Sequence, residues 1–169
     1  MTSTKPIDLS NMAATEPMAQ AIARSRENSE NGCEPFGAVI VKDSKIIATA
    51  SNQVTQNNDP SAHAEIMAIR KACQVLDTTD LSGCELYTSC EPCPMCIGAI
   101  YWSSLDRIYY GCSKEDAAEV GFSDQFIYEE LAKKRGDRRL PMHQKMRDEA
   151  FKVLKKRQQS KTDNKAKNE

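Results

Sequence analysis

Net charge is nearly absent from this chain. Its 23 Lys and Arg stand against 24 Asp and Glu, leaving −1 over 169 residues. A chain so balanced exerts no global pull on nucleic acid or on a membrane surface. Long apolar runs are missing as well. None approaches the roughly 20 residues that a membrane-spanning helix requires. The N-terminal stretch MTSTKPIDLSNMAATEPMAQ lacks the unbroken apolar core of a secretory signal. No internal repeat and no low-complexity domain interrupts the chain. The remainder, with 40% apolar and 28% charged residues, is the composition of a soluble globular protein of about one domain's length.

Seven cysteines are present, an odd number, without an export signal. A secreted disulfide framework is therefore disfavoured, and reduced thiols or metal ligands are expected. Cys33, Cys73, Cys84 and Cys112 stand apart and suit the ordinary role of small buried residues. Cys90, Cys93 and Cys96 recur at three-residue intervals and need another explanation.

Residues 1–14 are polar and aperiodic and read as a loose arm, 15–159 as the folded domain, and 160–169 as a disordered polar tail. Thr15-Glu16-Pro17 is a helix start, with Thr15 as the capping hydroxyl, and the helix should stop at Gly32. Phe36–Val41 and Ile46–Ala50 flank a turn-like Asp43-Ser44 and predict a β-hairpin. Ile66, Ile69, Ala72 and Cys73 recur at helical spacing, predicting a helix over Ala62–Leu76 behind an Asp59-Pro60-Ser61 cap. A strand at Glu85–Ser89, a helix opened by Pro92 and a strand at Arg107–Cys112 imply a parallel pair with a helical crossover. A further helix is expected at 124–134, a last strand at Leu140–Met146 and a final helix at Arg147–Gln159. The class is α/β: three layers, with one mixed five-stranded sheet flanked by helices.

The chemistry lies in His63, Glu65, Cys93 and Cys96. Cysteines at i and i+3 share a helix face. At a helix start the positive helix end favours the thiolate. One histidine and two thiolates make three ligands for a tetrahedral zinc and leave the fourth position to water. Glu65, close to the metal without ligating it, could take a proton from that water, which zinc makes acidic near neutral pH. A closed Cys₃His structural site that includes Cys90 is the bland alternative, but it leaves Glu65 unexplained. An iron–sulfur run of bacterial ferredoxin type would need a cysteine where Ile100 stands.

His63-Ala64-Glu65 together with Pro92-Cys93-Pro94-Met95-Cys96 resembles the signature of the zinc-dependent nucleobase deaminases. Within that superfamily the chain looks most like bacterial-type guanine deaminases. Pro35–Val41, Asn58–Glu65 and Leu86–Cys96 carry the likeness, and Asp116–Asp124 with Phe126-Ile127-Tyr128 separates it from tRNA adenosine deaminases. The resemblance implies a cytidine deaminase-like fold, one zinc per subunit on His63, Cys93 and Cys96, and Glu65 as the proton shuttle. It implies that Asn52 bonds the polar edge of a purine, that Phe36 stacks on or flanks the ring, and that Asp124 faces the exocyclic amine or a ring N–H. Trp102 would complete the pocket wall, across a dimer interface in one arrangement. It further implies guanine as substrate, a cytoplasmic location and a homodimer that in some members exchanges C-terminal segments. The missing apolar run speaks against a membrane partner, and the near-neutral charge against a nucleic-acid one. Such enzymes often close the site with a C-terminal aromatic, and this chain has none after Phe151. A more open site would keep guanosine in play. The basic run from Lys152 onward keeps a tRNA wobble adenosine as a rival substrate. A non-enzymatic zinc-stabilised interaction module is the third reading.

Overall fold

A computed structural model of the chain describes residues 16–166, with side chains to residue 160. The expected N-terminal arm lies outside the described residues. The chain divides into two units, with the boundary between Tyr128 and Glu129.

The first unit is a sheet with helices on both faces. Helix α1 (Pro17–Glu30) is followed by the hairpin β1 (Gly37–Lys42) and β2 (Lys45–Ser51), then a single turn, α2 (Val54–Asn57). Helix α3 (Ala64–Leu76), strand β3 (Cys84–Cys90), helix α4 (Pro94–Trp102) and strand β4 (Arg107–Cys112) come next. Short helix α5 (Lys114–Glu119) closes the series, and α6 (Gln125–Ala132) runs across the division. The strand order is β2-β1-β3-β4. β1 is antiparallel to both neighbours, while β3 and β4 are parallel across α4. The sheet is thus mixed, as expected.

Side-chain alternation decides which helix each strand residue meets. Val39 and Val41 of β1 join Ala21 of α1, with Ile46 and Tyr87 packed beside them. Ala38 and Ile40 face the other way, into the larger core with Ala64, Ala68 and Ala72 of α3, Leu86 of β3 and Ile100 of α4. Alanine dominates the sheet-facing stripe of α3, so that helix lies close to the strands. The hairpin turn holds Asp43 at φ 48° and Ser44 at φ 60°, the left-handed pair that a tight two-residue connection requires. At Gly37 an added Cβ would run into the Ala21 carbonyl oxygen, so only glycine lets α1 pack here.

Several expected boundaries are corrected. The helix expected to open at Pro92 starts at Pro94, with Cys93 as its N-cap. The last helix does not stop at Gln159 but continues to Ala166, through residues expected as a disordered tail. The cap of α1 is Glu16, whose carboxylate accepts from the Ala19 N–H at 2.6 Å, while Thr15 lies outside the described residues. Helix α3 begins at Ala64, with His63 as its N-cap, because Asp59 spends its carboxylate on the N–H and hydroxyl of Ser61.

The second unit holds a short 3₁₀ turn (Arg135–Asp137) and α7 (Arg147–Ala166). The fifth strand expected at Leu140–Met146 is not formed, and the sheet has four strands among the described residues. Pro141 lacks an N–H to give to a ladder, and Met146 sits at φ 50°. Leu140, Met142 and Met146 alternate as a strand face would, but all three are exposed. No described residue of this unit is buried. Lys133 pairs with Glu130 at 2.6 Å, and Arg147 and Lys155 lie over the Phe151 ring at 4.5 and 4.8 Å.

Candidate active site

Two helix starts build the centre of the first unit. His63 precedes α3 with φ −64° and ψ 154°, and Cys93 precedes α4 with φ −66° and ψ 169°. Each carbonyl accepts the first bond of its helix, from Met67 and Ile97 at 2.9 Å. An N-cap side chain ordinarily turns back to bond the helix's own N–H groups. Neither His63 nor Cys93 does so. Both instead point at one spot, which Cys96 reaches from the first turn of α4.

His63 Nδ1 lies 3.5 Å from Cys93 Sγ and 3.6 Å from Cys96 Sγ, and the two sulfurs are 3.6 Å apart. A tetrahedral zinc with ordinary Zn–S and Zn–N bonds would set its ligands about 3.5 Å apart (N to S) and roughly 3.8 Å apart (S to S). The triangle therefore fits zinc almost without movement. The donor chemistry agrees. Cys93 is pushed down to about 4 by its hydrogen bond with Cys96, with His63 adding to it. Cys96 is pushed up by the same contact, and burial adds to the shift. Contact with Cys93 raises His63. These protons are the ones a divalent cation displaces. Among the described residues, His63, Cys93 and Cys96 form the group able to hold a metal. Cys90 does not join it. Its thiol leans on the Ser113 carbonyl at 3.8 Å and is pushed up to about 11 by burial.

Glu65 follows two residues after His63. Because His63 is a cap in extended conformation, the two side chains escape the opposed directions of a regular helix and converge. Glu65 is 6% exposed. One carboxylate oxygen accepts from the Thr88 hydroxyl at 3.1 Å, and the other lies 3.5 Å from Cys96 Sγ. Burial raises its pKa, the direction that makes a carboxylate a better proton acceptor. Thr88 escaped the sequence reading. Its signal was a hydroxyl on β3 in line with Leu86, where alternation calls for an apolar residue.

The cluster opens into a cavity of about 310 Å³. Phe36, Asn52, His63, Glu65, Cys93 and Asp124 all line it, so the structure gathers seven of the eight expected site residues when buried Cys96 is included. Asn52 is 3% exposed. Its Oδ1 accepts from the Val54 N–H at 3.0 Å, which leaves the amide nitrogen as the free end, a donor. Phe36 meets Phe122 edge-on, with ring centroids 5.1 Å apart. Phe122, which belongs to the Asp116–Asp124 stretch, thus supplies a second aromatic wall. Asp124 stands just before α6, and burial followed by the charge on Cys93 raises its pKa. Trp102 is not brought to the cavity. It ends α4 with its side chain 90% exposed. Glu34 and Lys114 line the cavity without having been anticipated.

Residues 12–112 match the family described as the cytidine and deoxycytidylate deaminase zinc-binding region. A guanine deaminase of Bacillus subtilis (strain 168) is 58% identical over 110 residues, which are 65% of this chain and 70% of that protein. A tRNA-specific adenosine deaminase of Agrobacterium fabrum is 41% identical over 109 residues, 63% of this chain and 72% of the relative. Among solved structures, the X-ray structure of the Bacillus subtilis guanine deaminase superposes with a TM-score of 0.79 and 47% identity, covering 83% of this chain and 92% of that one.

Proposed function

The chain belongs to the zinc-binding cytidine and deoxycytidylate deaminase family, and we propose that within it this protein hydrolyses guanine to xanthine and ammonia. The observation that carries the chemistry is a buried carboxylate, Glu65, set against a three-donor metal triangle that opens into a cavity of purine scale. The 58% identity to a guanine deaminase supports the choice of base.

His63, Cys93 and Cys96 would hold the zinc. When bound, the metal supplies the Lewis acidity that makes water a nucleophile near neutral pH. Glu65 takes the proton of the attacking water through the oxygen nearer Cys96 and carries it to the ring nitrogen beside C2. Thr88 holds the other oxygen still, so the carboxylate is already aimed. Asn52 donates its amide to the acceptor edge of the purine, Phe36 supports the ring face, and Asp124 receives the exocyclic amine or a ring N–H. Ammonia departs from C2 as water oxygen replaces it.

The active unit in this reading is a cytoplasmic homodimer, with exchange of the C-terminal segment between copies as its fullest form. The exposed apolar side chains of the second unit (Leu140, Met142, Met146, Val153 and Leu154) support a covering partner. So does Trp102, which would reach a cavity only across such an interface. Sedimentation of the zinc-loaded protein tests the dimer, and a monomer would refute it.

The function is tested by ammonia release from guanine, guanosine, adenine, cytosine and a tRNA bearing a wobble adenosine. Turnover of guanine with the others inert is the expected result. Activity on the tRNA alone would replace this reading with editing. Silence on every substrate from zinc-loaded protein would leave the structural-zinc module.

A further inference from the structure

Glu34 lies in the loop between α1 and β1 and lines the same cavity as Phe36, Asn52 and Asp124. It is held beside Asn52 by a single group. The Asn28 side-chain amide donates both to the Glu34 carbonyl at 2.7 Å and to the Asn52 carbonyl at 2.9 Å. The Phe36 N–H donates to the same Glu34 carbonyl at 2.9 Å, so the backbone under this carboxylate is fixed. The carboxylate itself is not satisfied. Its Oε2 is buried and accepts no hydrogen bond from any described residue. Among the described residues no Lys, Arg or His forms an ion pair with it. A buried carboxylate oxygen without a donor is destabilising, and a native protein keeps one where something else supplies the donor.

We propose that Glu34 is a specificity residue that accepts a hydrogen bond from the imidazole-side N–H of the bound purine and so favours the free base over a 9-substituted nucleoside. The inference rests on the reading of guanine as substrate. With C2 placed at Glu65, the 2-amino group and N1–H lie at the reacting end, which Glu65 and Asp124 serve. The donor that remains on guanine is the N–H of its five-membered ring. A ribose at N9 removes the donor there. The Glu34 side chain lines the cavity, so a turn of its carboxylate presents the unpartnered oxygen to the five-membered ring of the purine.

The test compares kcat/KM for guanine and 9-methylguanine in the zinc-loaded wild-type protein and in Glu34→Ala and Glu34→Gln. A site built around a hydrogen bond rejects an analogue lacking it strongly. The wild-type protein is expected to favour guanine by about 10²-fold or more, and Glu34→Ala to bring the ratio within about 10-fold. That change should come from a higher KM for guanine at nearly constant kcat. Glu34→Gln, which keeps an acceptor oxygen, should retain an intermediate preference. The thermal midpoint of Glu34→Ala should stay level or rise, since no internal bond is lost. A ratio unchanged in Glu34→Ala overturns the proposal. So does a ratio that collapses only because 9-methylguanine improves, which would mark steric exclusion, or a lowered midpoint with equal loss on both substrates, which would mark a structural residue. Wild-type protein inactive on guanine would instead refute the guanine reading, and this inference with it.

Discussion

At the metal end of the cavity, position is set by backbone geometry common to two helix starts. At the recognition end it is set by loops. His63 and Cys93 occupy matching N-cap positions with nearly the same φ and ψ, and Cys96 is locked into the first turn behind Cys93. Glu65 is pinned by Thr88 from the sheet. Phe36, Asn52, Glu34 and Asp124 come instead from segments between elements, held by hydrogen bonds such as those of Asn28. A scaffold of this kind can keep one chemistry while its loops choose the base, because the loops change without moving the metal. The comparison fits that division, since proteins named for guanine and for tRNA adenosine are both similar to this chain, at 58% and 41% identity.

The largest expected effect breaks the metal end without removing the metal. Glu65→Gln keeps an oxygen to accept from Thr88 and turns an N–H₂ toward the cysteine sulfurs, so it should fold and bind zinc. Loss of the proton shuttle should lower kcat by about 10²–10⁴. Ammonia release with metal analysis of the same sample checks this. Activity that persists would place the proton transfer elsewhere.

Next in size is loss of the metal. Cys96→Ser replaces a fully buried soft ligand with a harder, shorter one and should abolish zinc retention. A ligand present at a thousand times its Kd stabilises the fold by about 4 kcal/mol, so a drop of roughly 8–16 °C in thermal midpoint is expected for a chain of this size. Chelator-treated wild-type protein should show the same shift. Cys90→Ser should leave zinc content unchanged, since Cys90 stands outside the triangle. Zinc lost from Cys90→Ser would restore the closed four-ligand alternative.

The contrast between the two ends also explains what the sequence disclosed. Cys93 and Cys96 were legible because helical spacing alone puts them on one face, and His63 because so few residue types accept zinc. The sheet order followed from alternation and from the crossover at α4. The fifth strand was misread because Leu140, Met142 and Met146 alternate, and period-two patterning carries no information about whether a partner strand is present. The loop residues had no periodicity to betray them. Asn52, Phe36 and Asp124 were reachable only through family resemblance. Glu34 had no sequence signal, since an unsatisfied oxygen exists only once the chain around it is folded. Trp102 was placed at a pocket wall by resemblance, yet within one chain it faces outward.

At the recognition end, Asn52→Asp is sharper than truncation. Aspartate can still accept from the Val54 N–H, so the loop keeps its shape, but the donor toward the purine becomes an acceptor. A lost bond that leaves a polar group unpaired costs about 1–3 kcal/mol, or roughly 5–150-fold in kcat/KM for guanine. Zinc content should hold, while the thermal midpoint should fall, because the buried oxygen that replaces the amide nitrogen lacks a donor. If the midpoint falls and KM does not move, Asn52 serves the loop and not the base.

The smallest effect is expected at Phe36, where the two roles overlap. Its ring lines the cavity and also packs against the larger core. Phe36→Leu keeps apolar bulk while removing the flat face, and a hydrophobic swap of that kind usually costs less than about 1.5 kcal/mol of stability. Aromatic stacking is worth about 0.5–1.5 kcal/mol beyond area burial, so KM for guanine should rise roughly 2–10-fold at constant kcat. The two readouts separate the roles. A ring that only fills the core would lower the thermal midpoint and leave KM alone. A ring that supports the purine would raise KM even where the midpoint barely moves, because Phe122, edge-on at 5.1 Å, still closes the wall behind it.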